Sequence, residues 1–157
     1  MKKLLAVSLC LCFLALSLVA CGGGVKASVP DIAAAVETAA AVASPIAIDD
    51  DELHYAMGLT AENIAEYAGS HTGVSGSSGT VLVVKAAAGK ISEVEKELKS
   101  YCATNADFLS NYPEFATAQA QAADGRVVVK GDVAVLAIAA PDIDYAAVDT
   151  AIEGALK

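Results

Sequence analysis

Between Leu4 and Ala20 the chain carries no charged residue, and Cys21 follows directly, closing the tetrad Leu18-Val19-Ala20-Cys21. Lys2 and Lys3 stand before this run. A short basic start, an apolar stretch and a small residue ahead of a cut are the parts of a secretory signal. A membrane span needs about 20 apolar residues, and Gly22, Gly23 and Gly24 do not extend the run. The segment therefore reads as a leader that never joins the folded core. Residues 1–20 are expected to be signal, 21–29 a tether and 30–157 a single extracytoplasmic domain, since the remaining length suits one ordinary core and not two.

The tetrad resembles the lipobox of bacterial lipoproteins, in which an aliphatic, a tolerant and a small residue precede an obligatory cysteine. The resemblance implies that Leu18, Val19 and Ala20 are read by the lipoprotein signal peptidase, which cuts between Ala20 and Cys21. It also implies that the Cys21 thiol carries a diacylglyceryl group with palmitate-like chains. At about 0.8 kcal/mol for each buried methylene, two acyl chains hold a protein at a membrane without electrostatic help. Such help is lacking in any case. Loss of Lys2 and Lys3 leaves 8 basic against 19 acidic side chains, moving the formal charge from −9 to −11. That balance repels nucleic acid and anionic lipid alike. The expected address is the outer face of the plasma membrane, or the periplasmic face in a cell with two membranes.

Cysteine usage bounds the fold. Cys10 and Cys12 leave with the leader and Cys21 takes the lipid, so Cys102 is the one free thiol and no internal disulfide is available. The domain must stand on its core, with Cys102 read as packing.

Gly22 to Ser28 forms a short leash. Ser28, Pro30 and Asp31 signal a helix start, and Ile32, Val36 and Ala40 mark one face of a helix ending near Ala43. Ser44-Pro45 breaks it, and Thr60 is expected to open a helical turn through Glu66. Val81-Leu82-Val83-Val84 reads as a buried strand, residues 67–74 as its antiparallel neighbour, and the Gly/Ser segment between them as a loose connection. Ser92 with Glu95 spells a capping box for a long helix through Leu109. Residues 126–130 and 133–139 flank Gly131-Asp132, a hairpin, in which Val128 is expected to be buried. Asp142 or Asp144 caps a last helix bearing Tyr145, Val148, Ile152 and Leu156. The order predicts an α+β fold: a small, mostly antiparallel sheet of about four strands, with helices covering one face.

Gly58-Leu59-Thr60, Glu66-Tyr67, Val81 to Lys85, the long helix, Tyr112-Pro113-Glu114 and Val127 to Asp132 together resemble an uncharacterised family of small lipoproteins from Gram-positive anaerobes, classed as a domain of unknown function. The resemblance spans roughly residues 30–157. It departs from the family pattern at Gly73 to Gly79, where Gly and Ser replace a charged strand start. It implies a lipid-anchored extracytoplasmic protein and supplies no catalytic residues.

Three constellations bear on chemistry. Asp49, Asp50, Asp51, Glu52 and His54 have the oxygen and imidazole donors that calcium or zinc take, but consecutive acids do not converge and no metal motif is present. His71 with Ser70, Ser75, Ser77 and Ser78 lacks the G-x-S-x-G elbow of a hydrolase. Tyr55, Tyr67, Tyr101, Tyr112 and Tyr145 include candidates for a peptide or glycan surface, though half-buried packing is their commoner role. The expectation is a non-enzymatic interaction domain without cofactor or metal, contacting an envelope protein or wall component. The alternative is a ligand- or metal-binding accessory protein of the envelope.

Overall fold

The computed structural model describes residues 24–157; the expected leader, with Leu18, Val19 and Ala20, and the expected lipidation site Cys21 lie outside the described residues. The Ser28 hydroxyl accepts from the Asp31 amide at 3.3 Å, and Pro30 occupies the first turn of α1 (Val29–Ala40). The side chain satisfies a donor that a helix start leaves orphaned. α1 buries Val29, Ile32, Ala33, Val36 and Ala40 on one face and stops short of Ala43, where Ala41 turns left-handed at φ 53°.

Next comes β1 (Pro45–Ala47), a three-residue edge strand that the sequence does not announce. A π-helical turn, Glu52–Ala56, and a 3-10 turn, Ala61–Asn63, lead into β2 (Ile64–Thr72). The helix expected through Glu66 thus ends at Asn63. Glu66 instead faces Lys85 across the ladder to β3 (Thr80–Ala86), so pairing with an apolar neighbour overrides weak local helix signals.

α2 (Ile91–Leu109) starts at Lys90 as its N-cap, and no side chain caps it. Ser92 lies inside the helix, so the expected capping box does not form. A 3-10 turn, Pro113–Phe115, leads to α3 (Ala116–Ala123), and β4 (Arg126–Lys130) and β5 (Val133–Ile138) form the expected hairpin. Lys130 pairs with Val133, leaving Gly131-Asp132 as a two-residue turn with Gly131 at φ 63°. Glycine takes this left-handed value without a Cβ penalty. Asp144, not Asp142, caps α4 (Tyr145–Ala155), accepting from the Ala146 amide at 2.9 Å.

All strand pairings are antiparallel, in the order β1-β2-β3-β5-β4. The α+β class is as the sequence indicates, with five strands where about four were expected. The single covered face is corrected. α1 and α4 pack on one face against Val81, Val83, Val133, Val135 and Ala137. α2, α3 and the π-helical turn pack on the other against Leu82, Val84, Ala134, Leu136 and Ile138. The continuous apolar runs of β3 and β5 are the mark of strands buried on both faces, which alternation in a one-sided sheet would not give. No helix among the described residues is long and apolar enough to cross a membrane.

Val128 lies on the edge strand β4 and is only half-buried, which corrects the expectation of a buried position there, whereas Val135 on β5 is fully enclosed. Val135→Asp places an unpaired charge where no water reaches and is expected to abolish the folded state. Val128→Asp is expected to lower stability by a few kcal/mol at most, and Cys102→Ala by about 1–2 kcal/mol. Melting followed by circular dichroism checks the ranking, and equal melting of the two valine variants would refute the layer assignment.

Candidate binding site

The acidic run is pulled apart by the local backbone. Asp49 Oδ1 accepts from the Glu52 amide at 2.9 Å and caps the π-helical turn, whose last bond runs from the Met57 amide to the Glu52 carbonyl. Asp50 takes the Tyr67 hydroxyl at 2.6 Å, and His54 Nδ1 contacts the Leu59 carbonyl at 2.8 Å. Leu53, wholly buried, pins the turn to the core. That leaves Glu52, whose Oε2 lies 3.2 Å from Nε2 of His71 at the end of β2. Among the described residues, no three His, Cys, Asp or Glu side chains gather closely enough to hold a metal ion.

Glu52 and His71 form one wall of a small cavity, about 170 Å³, at the end of the β2–β3 pair and under α2. Thr80, Tyr101, Asn105, Ser77 and Ser78 supply further polar lining, and Leu109, Ala122 and Ile138 the apolar part. The Asn105 amide donates to the Tyr101 hydroxyl at 3.3 Å. Burial pushes the Tyr101 phenol up, against the opposing pull of its bonds to Thr80 and Asn105. β pairing explains the placement: His71 faces Thr80, and Thr80 faces Ile138, so these side chains share the α2 face of the sheet.

The Gly/Ser segment between β2 and β3 is held in place, contrary to the loose connection expected. The Thr72 hydroxyl donates to the Ala43 carbonyl at 2.8 Å and accepts from the Val74 amide, while the Ser78 hydroxyl donates to the Ala139 carbonyl at 2.8 Å. Of the serines considered with His71, Ser77 and Ser78 line the same cavity. Ser70 pairs with Val81 and so belongs to the opposite face, and Ser75 is exposed. His71 Nδ1 meets the Thr72 carbonyl at 3.1 Å and Nε2 meets Glu52. Both ring nitrogens face acceptors other than a serine. The Ser77 and Ser78 hydroxyls themselves donate to carbonyls. The arrangement offers a ligand donors and acceptors and does not assemble a nucleophile with its base.

Beside the cavity mouth the end of α2 and the following turn carry three aromatic rings. Phe108 and Tyr112 have centroids 5.4 Å apart, and Tyr112 and Phe115 5.7 Å apart. Phe108 is 61% exposed and Tyr112 40%. Considering the tyrosines alone does not reveal this group; the spacing of Phe108, Tyr112 and Phe115 around Pro113 is its only signal in the sequence.

A second cluster is structural. Arg126 bonds Asp149 at 2.9 Å and Asp124 at 2.7 Å and lies 4.2 Å over the Tyr145 ring. The Tyr145 hydroxyl donates to the Gln121 carbonyl and accepts from the Ala139 amide. This guanidinium, matched by two carboxylates, latches α4 to β4 and α3. Cys102 lies in the core between α2 and the sheet, where burial pushes its thiol up to about 11; such a thiol is inert at neutral pH.

The architecture defines a class: a small α+β domain of three layers with a polar cavity at the end of its sheet. The chain belongs to the family described as Domain of unknown function (DUF4358), whose model matches residues 39–139. No curated protein and no solved structure matches it. The match includes every residue lining the cavity and leaves out α4 and most of α1.

The Tyr67–Asp50 hydrogen bond, followed by burial and the charge of Asp50, raises the Tyr67 phenol from 10.0 to about 12. A raised phenol stabilises the fold fully below its unfolded value, and that contribution fades as pH climbs through about 12. Tyr67→Phe is expected to lower the melting temperature at neutral pH and to narrow the gap from wild type between pH 10 and 12. A gap that stays constant across that window would refute the bond.

Proposed function

We propose that the chain is a lipoprotein, cut before Cys21 and held by lipid at the outer face of the plasma membrane, or the periplasmic face if the source has two membranes. Its folded domain is a non-enzymatic interaction domain that meets another envelope component. The observation that carries this reading is the tetrad Leu18-Val19-Ala20-Cys21 at the end of an uncharged run. Its distance from the fold supports it: the first described helix begins at Val29, so seven residues, Gly22 to Ser28, separate Cys21 from that helix. At about 3.5 Å per extended residue they reach about 25 Å and hold the domain close to the bilayer.

The non-enzymatic part rests on the cavity's chemistry. His71 spends both nitrogens on Thr72 and Glu52, the neighbouring serines donate to carbonyls, and the Cys102 thiol is buried. The polar cavity itself favours a second reading, a ligand-binding accessory protein of the envelope. A Gram-positive source accords with the resemblance to small lipoproteins of such bacteria.

Mass spectrometry of the native protein tests the anchor. The wild-type chain is expected to yield a lipidated N-terminal peptide beginning at Cys21. Cys21→Ser removes the acyl acceptor and with it the peptidase substrate, so uncut precursor accumulates. Because Leu4 to Ala20 then stays attached, fractionation alone does not distinguish the forms. An unmodified wild-type N-terminus, or one cut elsewhere, refutes the anchor.

A further inference from the structure

The cavity and the aromatic rings beside it form one continuous surface. Gly76, at φ 73°, lies flat against the Phe115 ring, where any Cβ would overlap the ring, and the next residue, Ser77, lines the cavity. On the other side Leu109 lines the cavity and Phe108, its neighbour in α2, is exposed; Asn105 lies one helical turn earlier and also lines it. Val74, 45% exposed, completes the rim. A polar recess therefore opens beside a shelf of two rings, Phe108 and Tyr112, that stay exposed among the described residues.

We propose that this surface binds a neutral glycan, one pyranose ring seated in the recess and the next stacked on the shelf. The inference rests on the reading of an envelope interaction domain and names the chemistry of its partner. Three observations lead to it. First, the recess holds both donors and acceptors, and its two ionisable walls, Glu52 and His71, are paired with each other at 3.2 Å. It therefore matches hydroxyls better than a charged group. Second, exposed Phe and Tyr rings offer the flat apolar face that packs on the C–H face of a pyranose, with a hydroxyl at the edge. Third, at about 170 Å³ the recess is smaller than the ~300–1,000 Å³ pockets that enclose a whole drug-sized ligand. It takes one ring of a longer molecule. The formal charge of −9 in the full chain disfavours anionic polymers.

The test uses the full-length chain in a detergent without a sugar headgroup, titrated calorimetrically with tetrasaccharides of N-acetylglucosamine and of glucose. Saturation binding of either, weakened at least about tenfold in Asn105→Ala and in the Phe108→Ala/Tyr112→Ala double variant, is the expected result. All three side chains are at least partly exposed, and circular dichroism is expected to show the variants folded. Saturation-transfer NMR should then place the strongest contacts on the sugar C–H protons. No binding at millimolar sugar, or binding that both variants leave unchanged, overturns the proposal, as does preferential binding of an anionic polymer. The assay does not involve the lipid. Failure to bind either sugar refutes the glycan site alone, whereas the anchor stands or falls separately on the mass of the native N-terminal peptide.

Discussion

Everything in this molecule depends on burying two strands from both sides at once. All six β5 side chains, and all but Lys85 in β3, are buried. Fully burying a Val, Leu or Ile side chain contributes about 1.5–3 kcal/mol, so the central pair is the largest concentrated source of stability in a domain whose one described cysteine, Cys102, is free. It also dictates the architecture. Neither face can be left to water, so one helical pair must come from the chain's two ends, α1 and α4, and the other from its middle, α2 and α3.

This closure creates the cavity. Where β3 begins and β5 ends, the side chains on the α2 face change from Leu82 and Leu136 to Thr80 and Ile138, and β2 contributes His71. α2 passes over that end with Tyr101 and Asn105, and the π-helical turn brings Glu52 alongside. A π-helical turn adds a residue to the usual spacing and re-aims a side chain, and such turns recur at functional positions. Here its cap, Asp49, and its anchor, Leu53, are what allow Glu52 to reach a histidine on a distant strand. The other acids of the run are held singly or exposed, so the four carboxylates do not converge on one point.

Much of this was legible in the sequence, for identifiable reasons. The hairpin at Gly131-Asp132, the α1 start at Ser28 and the periodicity of α2 and α4 are local signals, and the structure keeps them. β1 was not legible, because Pro45-Ile46-Ala47 is a strand only through pairing with residues 70–72. The capping box does not form because the helix starts two residues earlier than the motif requires, with Lys90 and not Ser92 as its cap. The two-faced sheet was written in the unbroken apolar runs of β3 and β5, but attention to alternation hides it. The cavity is half legible: His71, Ser77 and Ser78 stand close together in the sequence, while Glu52, Tyr101 and Asn105 lie far from them. Their convergence depends on three elements far apart in the chain, a property of topology that spacing does not reveal.

The central claim is that β3 and β5 are enclosed by helices on both faces and carry the fold. Native-state hydrogen exchange tests it residue by residue, since amides released only by global unfolding report the most stable unit. The account predicts that amides of residues 81–85 and 134–138 exchange at the rate of global unfolding, and that those of β1 and the outer edge of β4 exchange by local opening. Protection in β3 and β5 no greater than in β1 and β4, or loss of α1 and α4 protection while the central strands stay protected, would contradict it.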